Sequence, residues 1–240
     1  MSAIRQGLIF LCGALTTGLP MLAGGSGFSI PEQSIAGIGL SNAMVANTTD
    51  LGGLIYNPAA MSFHPGTNLS LGLMGIKTDL SVKTASGNHD NQGQDSFAVP
   101  LMYGSYQFAP DWTLGLGIGA PYGLETQWDL GTFPKLSQPT TAPLHPTLGK
   151  LELIAISPSL AYKINDSLSL AAGLDYYRAR SLNMNTTAVD IDGTGDAYGF
   201  NLGALYKYNQ WSLGLSYHSP TSLTAEGKFQ PKLAVIPGIP

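Results

Sequence analysis

The sequence predicts an all-β chain whose strands form part of a transmembrane antiparallel β-barrel, and three observations carry that prediction. Charged residues are scarce, apolar and small or polar residues alternate along seven segments, and the connections between those segments alternate between tight and long. Only 11% of the 240 residues are Asp, Glu, Lys or Arg, and 30 are glycine. A soluble domain carries about a quarter charged residues. A barrel wall needs fewer, because its outer face meets outer-membrane lipid and its inner face takes small or polar side chains.

Residues 1–25 read as a secretory signal. Arg5 supplies the positive start, Leu8 to Leu22 is mostly apolar, and Ala23-Gly24-Gly25 offers small residues for cleavage, so the mature chain is expected to begin near Ser26. Gly13, Thr16, Thr17, Gly18 and Pro20 interrupt the run and argue against a membrane anchor. The single cysteine, Cys12, falls inside this segment, which leaves the mature chain without disulfide or thiolate chemistry. Leu11 is too large for a lipoprotein signal at that cysteine. No later apolar run is long enough for a transmembrane helix, so any crossing must be made by strands.

Residues 26–64 do not alternate. Phe28, Ile30, Ile35, Ile38, Leu40, Leu51, Leu54 and Ile55 give the stretch more groups seeking burial than a polar linker would hold. From Asn68 onward the period becomes two. Strands are expected over Asn68–Val82, Ser96–Phe108, Lys150–Ile164, Ser167–Leu182 and Ala197–Tyr208, with two further strands opening at Trp112 and Trp211. Trp112, Leu114, Leu116 and Ile118 share one face while Thr113, Gly115, Gly117 and Gly119 share the other. Trp211, Leu213, Leu215 and Tyr217 alternate in the same way with Ser212, Gly214, Ser216 and His218. Ala109-Pro110-Asp111, Asn165-Asp166 and Asn209-Gln210 are tight turns, and longer loops are expected around Thr84–Asp95, Thr126–Gly149 and Asn183–Asp196. Short turns on one side and long loops on the other are the asymmetry of an outer-membrane barrel. Tyr106, Phe108, Trp112, Tyr206, Tyr208 and Trp211 cluster beside the tight turns, as an interfacial girdle would.

Several chemistries find no support. Leu114-Gly115-Leu116-Gly117-Ile118-Gly119 is not a dinucleotide fingerprint, because its glycines alternate strictly and no helix follows. His64, His89, His145 and His218 lack metal or triad spacing, and no nucleophile and base are selected as a pair, so neither an enzyme nor a metal or other cofactor is expected. A net charge of −4 offers no footprint for nucleic acid.

Gly27-Phe28-Ser29-Ile30-Pro31-Glu32-Gln33, the small-residue segment Ala36 to Ala46, Tyr56-Asn57-Pro58-Ala59, Pro158-Ser159-Leu160-Ala161-Tyr162 and Gly214-Leu215-Ser216-Tyr217 occur in this order along the chain. Together they resemble the FadL-like outer-membrane transporters. The resemblance implies a barrel of about fourteen strands, plugged by its N-terminal residues, that passively takes up hydrophobic molecules such as long-chain fatty acids and acts as a monomer when complete. Residues 26–64 would be that plug, or hatch, and residues 65–240 the barrel portion. Two features depart from the family. Pro237-Gly238-Ile239-Pro240 reads as mid-loop, so a longer natural chain is expected, since an open half-barrel would leave unpaired edges in lipid. The connection between the fifth and sixth strands is also short, whereas the fatty-acid members carry a long loop there. An aromatic-hydrocarbon channel, a structural or adhesin barrel and an outer-membrane lipid hydrolase are the competing functions.

Three groups of residues are candidates for the site. Asn57, Pro58 and Ala59 form a stiff corner between hatch and barrel, which serves either as a structural turn or as the gating hinge the resemblance implies. Gly119, Ala120, Pro121, Tyr122 and Gly123 interrupt the third strand. Either the strand ends there, or it carries the inward kink beneath which the family's substrates escape sideways into the membrane. Arg180, with Phe28 and Ile30, would contact ligand by resemblance. Arg180 and Arg178 nonetheless share parity with Leu168, Leu170, Leu174 and Tyr176, so both a luminal and a lipid-facing placement stay open.

Overall fold

The computed structural model describes residues 29–136 and 145–232. The proposed signal peptide, Phe28 and Pro237-Gly238-Ile239-Pro240 lie outside those residues. The strands are β1 (Thr67–Lys77), β2 (Ser81–Thr84), β3 (Gly87–Asp90), β4 (Ser96–Ala109), β5 (Trp112–Gln127), β6 (Pro146–Lys163), β7 (Leu168–Thr186), β8 (Val189–Tyr208), β9 (Trp211–His218) and β10 (Thr224–Pro231). Eight of them form one sheet in the order β1-β4-β5-β6-β7-β8-β10, with β9 also on β8, and the sheet curls into a half-barrel. Every pairing in it is antiparallel.

Strand parity decides which face is which. Leu69, Leu71, Leu73, Leu114, Leu213 and Leu215 point outward and are exposed, while Ser105, Thr113, Ser157, Ala161, Ser169 and Leu205 point inward and are buried. A convex surface of exposed leucines is stable against lipid and aggregation-prone in water. Aromatic residues rim it at the tight-turn end, where Trp112 packs on Tyr162 at 4.6 Å between ring centroids, and towards the other end, where Tyr176 meets Tyr198 at 5.2 Å. Asn209 takes φ +53° in its turn, a conformation that asparagine tolerates better than most side chains.

Residues 29–66 run along the concave face. Helix α1 (Ile35–Gly39) is capped by Ser34, whose Oγ accepts from Gly37 N at 2.9 Å. Two 3-10 turns follow, Leu51–Ile55 capped by Asp50 and Pro58–Phe63 capped by Asn57 with Pro58 in the first turn. Leu51, Leu54, Ala59, Ala60 and Met61 form one apolar core with the inward Met74, Val99, Leu101, Tyr103, Ala161, Ala171 and Leu205. Glycine on the inner face permits that approach. A Cβ on Gly115 would strike Met61, and one on Gly203 would strike Asn57 and Ala59. The inner glycines therefore encode contact with this segment.

Two expectations need correction, one alternative is settled and one strand is new. The first strand stops at Lys77, and the loop expected at Thr84–Asp95 instead contains much of a second hairpin, β2–β3, which pairs outside the main sheet. Asn183–Asp196 is not a loop: β7 and β8 stay paired up to Asn185–Asp190, and only Thr187 and Ala188 separate the two strands. Asn183, Asn185, Asp190 and Asp192 stand at the outer end of the ladder, where Asn183 donates to Asp192, Asn185 accepts from Ile191 N and Asp190 pairs with Lys232, and polarity alone does not distinguish such a rim from a loop. The third strand does not end at Gly119; it runs on to Gln127. Finally, β10 was unforeseen. It continues β9 after Ser219–Leu223 folds inward, where Thr221 and Ser219 pack over Gly199, Ser219 N donates to Phe200 O at 2.9 Å and Phe200 N donates to Ser219 Oγ at 2.9 Å.

Candidate functional site

Asn57 is completely buried and ties three parts of the molecule together. Its Nδ2 donates to Val45 O at 2.8 Å and to Ala204 O of β8 at 3.0 Å, while its Oδ1 accepts from Ala59 N at 3.1 Å. The corner therefore anchors the inner segment to the wall. Replacing Asn57 by Ala leaves those two carbonyls without this donor, at about 1–3 kcal/mol for each buried polar group so exposed to mismatch. Asn57→Asp keeps the capping acceptor but cannot donate. Both variants are expected to speed tryptic or chymotryptic cleavage of residues 29–64 in the folded barrel, with Asp at least as damaging as Ala; unchanged cleavage in both would remove the anchoring role. At the end of this corner, desolvation holds the His64 imidazole below its ordinary pKa, opposed by Asp50 and reinforced by Lys207. The folded chain thus favours neutral His64, and that stabilisation is present above the ordinary imidazole value and lost as pH falls.

The wall is broken at the kink. Pairing between β4 and β5 stops at Met102 and Ile118, beyond which Ser96–Leu101 pairs only with β1 and Tyr122–Gln127 only with β6. The β5–β6 register shifts between Gly119 and Tyr122, which leaves Ala120 and Pro121 out of the ladder. Above the break the wall closes again, because Gln92 N donates to Gln127 O at 2.9 Å and Gln94 N to Glu125 Oε1 at 3.2 Å. A cavity of about 290 Å³ occupies the break, lined by Phe97, Val99, Pro100, Ala120, Ile154 and Arg180 among others. The freed Pro121 carbonyl points to the inner segment and accepts from Ile30 N at 2.7 Å. Gln33 continues the link, since its carbonyl accepts from the Tyr103 hydroxyl on β4 and its amide donates to the Tyr56 hydroxyl at 2.9 Å.

Arg180 is the residue skipped by the register shift between β6 and β7, and it is exposed. It lines the cavity in the wall break. Arg178 faces outward, bonded to Asp196 Oδ2 at 2.6 Å. Ile30 borders the luminal cavity of about 570 Å³ and a neighbouring one of about 540 Å³ bounded by Met74, Ile76 and Leu124.

Sequence reasoning missed the polar end of the larger cavity. Asp175 is 3% exposed on the inner face of β7. Its Oδ1 accepts from Ser157 Oγ at 2.6 Å and from Asn201 Nδ2 at 2.8 Å, and its Oδ2 meets His218 Nδ1 at 2.9 Å. Four strands, β6 to β9, each supply one member. Parity had placed His218 inward; only pairing across the sheet brings it opposite Asp175.

A half-barrel with lipid-facing leucines, a filled concave side and a break in its wall defines the class, an outer-membrane β-barrel protein. Residues 17–236 match the family described as outer membrane protein transport protein (OMPP1/FadL/TodX), and the chain belongs to it. It is 24% identical over 249 residues to a 47 kDa outer membrane protein of Pasteurella multocida, covering 90% of this chain and 55% of that protein. It is also 24% identical over 272 residues to a long-chain fatty acid transport protein of Escherichia coli, covering 95% and 58%. The chain thus spans little more than half the length of these relatives. Among solved structures, it resembles the Pseudomonas putida toluene transporter TodX with a TM-score of 0.55 and 23% identity, over 76% of this chain and 57% of that one. A Pseudomonas aeruginosa FadL homologue gives a TM-score of 0.56 at 20% identity, over 81% and 53%.

Proposed function

We propose that the protein is a passive outer-membrane channel for hydrophobic molecules, with long-chain fatty acids as its substrates. Residues 1–25 are removed on export, residues 26–64 act as the hatch, and residues 65–240 contribute barrel wall. Substrate enters from outside, occupies the luminal cavity, and leaves sideways through the break between β4 and β5. The observation that carries this reading is the hydrogen bond from Ile30 to the unpaired Pro121 carbonyl, which couples the inner segment to the break. Movement of residues 29–33 would alter the kink directly. Arg180 beside the opening favours an anionic headgroup, because a guanidinium offers paired donors to a carboxylate. One observation favours a second reading, an aromatic-hydrocarbon channel: only Thr187 and Ala188 join β7 to β8, where fatty-acid members are expected to carry a long loop.

The test is uptake of labelled oleate and labelled toluene in a host strain deficient in fatty-acid uptake, with the protein present at verified outer-membrane abundance. Saturable oleate uptake at roughly tenfold the vector level, a barrier change of about 1.4 kcal/mol, is expected. Toluene uptake alone would replace the first reading by the second. Uptake of neither would overturn the transport reading.

A further inference from the structure

We propose that His218 and Ser216 form the headgroup subsite of the luminal cavity, and that the subsite takes a carboxylic acid together with one proton. This rests on the transport reading and names the chemical class that the cavity selects.

The cavity is lined mainly by apolar groups, including Ile30, Pro31, Val45, Ile55 and Ala155, with polar side chains converging at one end. There Asp175 is buried and bonded at both oxygens: Ser157 and Asn201 donate to one and His218 meets the other. Its effect falls on His218, whose Nδ1 it holds in the protonated state, leaving Nε2 as the atom free to meet a ligand. His218 borders the cavity with 42% of its side chain exposed. Ser216, two residues earlier, faces the same side of β9 and borders the same cavity. Its Oγ is buried and finds no hydrogen-bond partner among the described residues. A buried hydroxyl left unpaired is costly, and a ligand oxygen beside it would relieve that cost.

The proton count decides what is bound. With Nδ1–H on Asp175, a neutral His218 accepts at Nε2 from a protonated carboxylic acid; equivalently, a protonated His218 donates to a carboxylate. Both descriptions hold one proton between imidazole and headgroup. An ionised fatty acid that meets a neutral His218 must therefore take up a proton on binding, whereas an alkane or alkanol does not. Among the described residues, the other titratable side chains facing this space besides Asp175 are the phenols Tyr177 on β7, Tyr122 on β5 and Tyr56 on the inner segment, and β8 presents Asn201 opposite His218.

The experiment measures equilibrium binding of radiolabelled dodecanoate and dodecanol to the full chain in lipid nanodiscs, corrected by empty nanodiscs, between about pH 6 and pH 8.5. In water dodecanoate is ionised throughout, as its carboxyl titrates near the carboxylate range of about 4–5, and the profile of His218→Asn in the same nanodiscs carries the protonation that the lipid itself imposes. Its affinity is expected to fall by at least about tenfold across the window, because binding is linked to a proton, while dodecanol affinity stays level. His218→Asn retains a donor for Asp175 but cannot titrate; it should make the dodecanoate profile markedly shallower, while dodecanol affinity, whatever its level in the variant, stays independent of pH, with heat-modifiable gel mobility verifying the fold. A level dodecanoate profile in the parent protein, or a slope equally steep in His218→Asn, overturns the headgroup assignment alone. Failure of the parent protein to bind either ligand overturns the transport reading as well.

Discussion

Replacing Ala120 by Arg is expected to cut oleate uptake at least tenfold while the folded barrel persists at normal abundance in the outer membrane. Ala120 lies in the two-residue bulge of β5 and lines the roughly 290 Å³ cavity that occupies the wall break. An arginine there inserts a bulky cation into the opening beside Arg180, which lines the same cavity. The alternative path for a substrate, down through the lumen, crosses water. Re-exposing only two methylenes costs about 1.6 kcal/mol, more than a factor of ten in rate, and a long acyl chain carries many more. The ladders on either side should survive, because Ala120 takes no part in the β4–β5 or β5–β6 register. Oleate uptake would be measured beside folded-barrel abundance and binding from the outside. Normal uptake at normal abundance would sink the lateral route at this position.

Deleting Ser26 to His64 should have the second large effect, a marked rise in passage of small polar solutes. The segment fills the concave face, with Met44, Leu54, Ala59 and Met61 almost wholly buried against it. Beneath it the wall presents Ser105, Thr113, Gly115, Ser159, Ser169 and Gly203, small residues that water would wet and that leave space unfilled once the segment is gone. Strand pairing in the wall is independent of this segment, so the sheet retains its ladders. Conductance in planar bilayers and influx of a small sugar would both report the change. Unchanged permeability in a correctly assembled barrel would count against residues 26–64 as a hatch.

The parts of this molecule that local chemistry dictates were readable in advance. Alternation of Trp112, Leu114, Leu116 and Ile118 with Thr113, Gly115, Gly117 and Gly119 needed no partner strand, because parity follows from the pleat of one chain. Asn209-Gln210 announced its turn through asparagine's tolerance of positive φ. Glycines and Pro121 marked the irregularity at residues 119–123, since proline cannot serve the ladder. What they left open was whether β5 ends or bulges. That depends on β6, whose residues 148–153 pair with the strand beyond the kink and carry it on to Gln127.

Asp190 and Asp192 misled for a related reason. A polar rim above the membrane and a loop have the same composition, and only pairing with Asn185 and Asn183 makes them strand. Arg180 belongs in the same group, because a register shift against β6 cannot be read from β7 alone. Composition, period and turn residues define the class, a lipid-facing barrel wall with apolar residues ahead of it that demand burial, because they act within a few neighbours along the chain. Where that wall opens and which polar groups meet inside it depend on how the strands pair and curve. The Ile30–Pro121 bond and the contact of Asp175 with Ser157, Asn201 and His218 join residues far apart in sequence, through register and curvature that no single strand contains.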